Sequence, residues 1–314
     1  MKTASSLRGV SPFKRLRYAA GLWRRYQVRN TELDRIFDWS SDFKSSWEQH
    51  GLGALSDKTA VEIGFGQRPA RLMIASIICR RAVGIDLDRP MLQFSLAAAF
   101  DNARRNGAWR AVKTAVRSLA FDPAFYSNFD QALMSRFGRT VQRRDLELRV
   151  SDVSRPEAWE GLERPSIVYS YDVFEHMPAD LLDNLLSMVS QKMDPVGICH
   201  FKVNIFTGIT GGHDPGWYTY DVQSGATAKT PAWRHLNDPD FVADTYLNRL
   251  SLQDYDSLFA EYFDVLDKVE LTPQLGFDLL DEKVKHELYQ LGYSDQDLFS
   301  NNVRWILRPK KVLA

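Results

Sequence analysis

Val61-Glu62-Ile63-Gly64-Phe65-Gly66 is an apolar run, broken by Glu62, that closes on two glycines, and Gly84-Ile85-Asp86 closes a second apolar run on an acid. Glycines directly after a strand let backbone N–H groups and the start of the next helix approach a ligand with no Cβ in the way. The stretch therefore reads as the first strand, turn and helix of a nucleotide-binding type of sheet. The helix opens at Pro69, where proline sacrifices only an N–H that has no helical partner.

Outward from that turn, short β-rich runs alternate with helical patterns, the mark of a parallel sheet covered by helices. The runs Thr59–Ile63, Ala82–Leu87, Leu146–Val150, Ser166–Tyr171 and Gly197–Ile205 are compact and apolar, as expected of strands buried on both faces. Phe263–Leu271 and Val303–Arg308 suit the last two strands, with a polar helical segment between them. Two connections are too long for one crossover helix. The first reads as a helical cap, about residues 108–145, broken at Phe121-Asp122-Pro123. The second, about 207–258, begins with Gly208, Gly211 and Gly212 and is rich in aromatics, and long loops of this kind usually carry function. Residues 1–55 read as a basic helical arm and 56–314 as one domain holding both insertions.

Three acids narrow the ligand. A dinucleotide fingerprint G-x-G-x-x-G needs a third glycine where this chain has Pro69. Glu62 would repel a pyrophosphate but attracts an ammonium group, so the turn favours a cationic, amino-acid-bearing ligand over a dinucleotide. Asp86, at the end of the second strand, is placed to accept from both hydroxyls of an adenosine ribose. Asp152, after the third strand, can accept from an adenine amino group while Val153 packs on the ring.

With these residues in strand order, the chain resembles the class I S-adenosylmethionine-dependent methyltransferases. Tyr171-Asp172-Val173-Phe174-Glu175-His176-Met177-Pro178 resembles the D-V-x-E-H segment of that family, which borders the methionine arm of the cofactor. The resemblance spans about Lys58 to Phe206 clearly and the last two strands weakly. It departs at Arg68, where many members have another glycine. It implies an α/β, Rossmann-like, seven-stranded, mostly parallel sheet with helices on both faces. It also implies S-adenosylmethionine as cofactor, held by Glu62, Gly64, Gly66, Asp86, Asp152, Val153 and Asp172. Members of the family displace the methyl group in line, so alignment of the reactants supplies most of the catalysis.

A protonated acceptor gains further from a base. His176 and His213 are the candidates, since both lie in segments expected beyond the carboxyl ends of strands, whereas His200 reads as a core residue within the fifth strand. Asp172, His176, His213 and Asp214 show no metal-ligand spacing, and no metal is expected. Trp217, Tyr218, Trp233 and His235 in the second insertion combine aromatic faces with hydrogen-bonding groups and suit a sugar ring. The segment is similar to acceptor regions of bacterial methyltransferases associated with surface-polysaccharide biosynthesis. That likeness implies a saccharide or glycolipid hydroxyl as acceptor, with another small molecule as the alternative.

The 314 residues carry 40 basic and 40 acidic side chains and 44% apolar residues, so no overall charge points to nucleic acid. The longest apolar stretch, around Leu92–Phe100, is too short to span a bilayer, and the expected location is the cytoplasm. Cys79 and Cys199 read as reduced core thiols. The first 30 residues hold eight Lys or Arg and no acid. Over residues 14–28, Leu16, Ala20, Trp23 and Gln27 line one helical face among arginines. That face suits packing over the pocket, peripheral contact with an anionic membrane, or a transit segment. Two other functions compete with methyl transfer: a non-catalytic scaffold for polysaccharide assembly, and a nicotinamide-dependent oxidoreductase, which Glu62 and Pro69 oppose. The sequence leaves the oligomeric state open.

Overall fold

The computed structural model describes residues 31–50, 53–92, 100, 103–104, 108–225, 228–243 and 245–310, and the basic helix expected over 14–28 lies outside them. The chain clusters into two compact units, one ending at Asp152 and the other beginning at Val153.

The first unit contains α1 (Thr31–Gln49), β1 (Thr59–Ile63), α2 (Ala70–Ile78), β2 (Arg81–Asp86), α3 (Ala108–Ala120), α4 (Asp122–Phe137) and β3 (Glu147–Val150). Its strands run parallel in the order β3-β2-β1. Every residue of β1 is buried, as a strand covered on both faces requires, and this places Glu62 in the interior. In α1, Ile36, Phe37, Ser40, Phe43 and Trp47 recur at helical spacing and are all buried. The Phe37 ring lies 5.6 Å from that of Phe129 in α4. Burying a ring of this size stabilises the unit by about 1.5–3 kcal/mol. The cap breaks where the sequence said it would: α3 stops at Ala120, and α4 starts at Asp122 with Pro123 in its first turn. Gly138, with φ 69°, ends α4 in the left-handed conformation that glycine tolerates.

The second unit contains β4 (Ile167–Tyr171), α5 (Ala179–Lys192), β5 (Ile198–Asn204), the short α6 (Thr219–Gln223) and α7 (Arg234–Asn237), α8 (Leu252–Tyr262), β6 (Phe263–Glu270), α9 (Glu282–Gln290), α10 (Asp295–Phe299) and β7 (Asn302–Pro309). β4 and β5 are parallel, and β7 lies antiparallel between β5 and β6. The seven strands make a mostly parallel, Rossmann-like α/β sheet. Each strand lies within one residue of its expected limits.

The second insertion ends earlier than residue 258. Ser251 opens α8 with a reciprocal cap, its hydroxyl accepting from the Asp254 N–H while the Asp254 carboxylate accepts from the Ser251 N–H. Residues 252–262 are therefore the helix that leads into β6. Cys79 and Cys199 are buried free thiols. His200 is wholly buried in β5, its Nδ1 2.7 Å from the Tyr171 hydroxyl. Among the described residues no helix is long and apolar enough to cross a membrane.

Candidate cofactor and acceptor sites

In the first unit the chain leaves β1 through Gly64 and Gly66, with φ 76° and 63°. A Cβ on Gly66 would meet nothing within 4 Å, so glycine is required there by backbone conformation rather than by space. The Gly64 N–H donates to the Ile85 carbonyl at 2.8 Å, which holds the turn against the end of β2. The Gly66 N–H donates to Asp86 Oδ2 at 2.8 Å, and the Asp88 N–H donates to Asp86 Oδ1 at 2.9 Å. A carboxylate offers about four acceptor positions, more than these two bonds use. The glycine turn and the acid that follows it by 20 residues are thus one hydrogen-bonded unit at the carboxyl ends of β1 and β2.

Arg68 proves to be a fastening. Its Nε donates to Asp122 Oδ1 at 2.7 Å, and Arg117 Nε donates to Asp122 Oδ2 at 3.3 Å. The Arg68 guanidinium also sits 4.4 Å from the centre of the Phe125 ring. Asp122 is buried, and through these pairs it ties the cap to the turn. The sequence presented Asp122 only as part of a helix break, because the two arginines that claim it are 54 and 5 residues away. Asp152 is half-buried just past the end of β3.

In the second unit the segment after β4 turns sharply at Asp172, which has φ 58°. Its Oδ1 accepts from Lys202 Nζ at 2.6 Å. Val153 is buried, its carbonyl accepting from the Trp159 indole N–H at 2.8 Å. Glu175 follows on a 3-10 turn and is buried, and neither carboxylate oxygen meets a donor in hydrogen-bond geometry. The backbone N–H groups of Glu175 and Asn204 and the Lys202 ammonium pull its pKa the other way. Burial, reinforced by the neighbouring Asp172 charge, raises its carboxyl to about 8.

His176 donates from Nδ1 to the Tyr246 carbonyl at 3.0 Å, since a carbonyl can only accept. With that single proton on Nδ1, the ring presents a lone pair at Nε2. His213, with φ 52°, lies with its ring centre 5.0 Å from that of His176, and its Nε2 is 3.2 Å from the Asn204 amide nitrogen. Burial, with His176 as a second cause, lowers its pKa to about 4. His213 is therefore neutral at pH 7, but as a base it draws a proton weakly.

The four residues expected to line an acceptor site divide. Tyr218 and Trp217 are half-buried: the Tyr218 hydroxyl donates to the His213 carbonyl at 3.1 Å, and the Trp217 indole donates to the Thr230 carbonyl at 3.0 Å. Trp233 and His235 are interior residues, and this corrects their reading as acceptor contacts. The Trp233 ring packs edge-on against Phe299, 5.9 Å between centres, inside a cluster that includes Ile209, Val222 and Leu288. His235 donates from Nε2 to the Phe206 carbonyl at 2.8 Å. A side chain on Gly212 would come within 2.5 Å of the His235 ring, so this glycine is what lets the histidine lie under the loop. Asp214 is taken up by Arg234, 2.7 Å away, and by the Thr230 hydroxyl. Sequence reasoning missed Asn248, whose side-chain amide donates to the Phe174 and Met177 carbonyls and so fixes the turn that bears Glu175 and His176.

No protein-family model matches the chain, and no curated protein matches it. Among solved structures it is similar to an S-adenosylmethionine-dependent methyltransferase from Clostridium acetobutylicum ATCC 824, with 11% identity over 95% of this chain and 99% of that one at a TM-score of 0.45. It is similar to the N-methyltransferase NodS from Bradyrhizobium japonicum WM9, with 9% identity over 87% and 98% at a TM-score of 0.41. The geranyl diphosphate C-methyltransferase from Streptomyces coelicolor A3(2) shares 16% identity over 89% and 83% at a TM-score of 0.43.

Proposed function

We propose that this chain is an S-adenosylmethionine-dependent methyltransferase acting on a hydroxyl of a saccharide or glycolipid. The observation that carries the reading is the coupling of Asp86 to the Gly66 amide, which gives a ribose-type acceptor and a glycine turn one fixed geometry. Buried Glu62 supports it, because a carboxylate behind the turn suits an ammonium-bearing ligand and opposes a pyrophosphate.

In this reading Gly64 and Gly66 bring the backbone close to the cofactor, Asp86 accepts from the ribose hydroxyls, and Asp152 accepts from the adenine amino group. When bound, S-adenosylmethionine supplies an electrophilic methyl group on a sulfonium. Trp217 and Tyr218 offer faces on which a sugar ring stacks, and neutral His213 accepts a hydrogen bond from the acceptor hydroxyl. Attack by the acceptor oxygen forms the new C–O bond as the C–S bond breaks, and the hydroxyl proton leaves to solvent. Orientation, worth on the order of 7–11 kcal/mol in well-aligned reactions, carries the rate, in keeping with the weak basicity of His213.

Calorimetric titration with S-adenosylhomocysteine tests the reading, with reduced nicotinamide dinucleotide as the rival ligand. Saturable 1:1 binding of the first is expected. Binding of the dinucleotide alone, or of neither, would overturn it. Mass spectrometry of glycans and lipids from cells with and without the protein then names the acceptor through a shift of one methyl group.

A further inference from the structure

We propose that Glu175, His176 and His213 form a binding site for one divalent transition-metal ion, a site that the sequence reading did not expect. Donor atoms from these three side chains lie within 4.8 Å of one another. They comprise two imidazoles and one carboxylate, a mixed nitrogen and oxygen set that suits zinc, manganese, iron or cobalt better than the all-oxygen shells of magnesium and calcium.

Two independent observations point to a ligand. Glu175 is 2% exposed, and neither carboxylate oxygen meets a donor in hydrogen-bond geometry. A buried acid is ordinarily hydrogen-bonded or coordinated, and Lys202, whose charge reaches Glu175, is bonded to Asp172 instead, so a metal cation would supply a direct partner. The second observation is the orientation of His176. Its Nδ1–H is spent on the Tyr246 carbonyl, the outer hydrogen bond that metal-bound imidazoles commonly make, and Nε2 is left to coordinate.

The surroundings hold the set in place. Asn248 fixes the turn carrying Glu175 and His176 through the Phe174 and Met177 carbonyls, and its own N–H donates to the Glu175 carbonyl at 2.9 Å. Tyr218 holds the His213 backbone through its carbonyl. Asn204 lies against His213 Nε2, so Nδ1 is the ring nitrogen without that neighbour. Metal bonds of roughly 2.0–2.2 Å would draw the three donors together by about 1 Å, a change that side-chain rotation supplies. Asp172 stays outside the set, bound to Lys202. With three protein ligands, the remaining coordination positions are open to water or to an oxygen of a bound molecule. The site does not depend on the methyl-transfer reading. If both hold, His176 and His213 act as ligands rather than as bases.

The test uses the full chain freed of metal by chelation and titrated with cobalt(II), whose visible absorption reports coordination directly, and with zinc(II) by calorimetry. One equivalent is expected to bind, with nitrogen-ligated cobalt bands. Glu175→Gln and His213→Gln, each checked for fold by circular dichroism, are expected to weaken binding at least tenfold. If Glu175→Gln does not fold, His213→Gln decides alone. Absence of saturable binding to the wild type, or undiminished affinity in a folded variant, overturns the proposal.

Discussion

The turn around Asp86 and the turn around Glu175 both follow a parallel strand and both present a carboxylate, yet they are built oppositely. Asp86 is half exposed and accepts two backbone N–H bonds, whereas Glu175 is buried with no hydrogen bond to either oxygen. The first carboxylate is positioned in advance and can greet a neutral hydroxyl at little cost. The second sits in an environment that opposes its charge and becomes favourable once a cation arrives. Two acids with the same strand-end address thus suit different ligands, and it is their local hydrogen bonds that separate them.

The largest effect expected in the second unit concerns a residue of its interior. Trp233→Ala should destabilise the protein by about 3–5 kcal/mol, because it empties a filled core position. Urea denaturation reads this, and a stability loss below about 1 kcal/mol would return Trp233 to the surface. In the first unit, Asp122→Ala should cost about 3 kcal/mol by leaving the Arg68 and Arg117 charges without their shared carboxylate. The same variant should weaken S-adenosylhomocysteine binding, since Asp122 ties the cap to the glycine turn. Equal stability of variant and wild type would show that the cap does not brace the turn.

A smaller effect depends on pH. Burial lowers the pKa of His235 to about 4 from an ordinary value of 6.5. Below pH 6.5 the unfolded chain takes up a proton that the folded chain refuses until about pH 4, so stability falls as pH drops through that window. The loss by pH 5 is roughly 2 kcal/mol. Urea midpoints at pH 7 and pH 5 should therefore diverge more in the wild type than in His235→Gln. Equal divergence would mean that His235 is not the interior group described.

The sheet was legible because burial on both faces writes an apolar run, as in Ala82–Ile85 and Ile167–Tyr169, and the glycine turn because positive φ selects glycine. The cap break at Phe121-Asp122-Pro123 was legible through proline. The second site was much less so. An aromatic loop reads alike whether its rings face a sugar or a core, and Trp233 and His235 face the core. Glu175 stood in a quoted motif, but the turn that carries it is fixed by Asn248, which holds the Phe174 and Met177 carbonyls from 74 and 71 residues further along the chain. No local pattern records that contact.

The account rests most directly on Asp86 as the ribose acceptor. Alanine there releases the Gly66 and Asp88 N–H groups at a half-exposed position that water can reach, so the fold should persist. Calorimetric titration of S-adenosylhomocysteine into Asp86→Ala beside the wild type decides the matter. The account predicts 1:1 binding to the wild type and at least tenfold weaker binding to the variant, the equivalent of about 1.4 kcal/mol. Equal affinity in the two proteins, or no binding to the wild type, would contradict it.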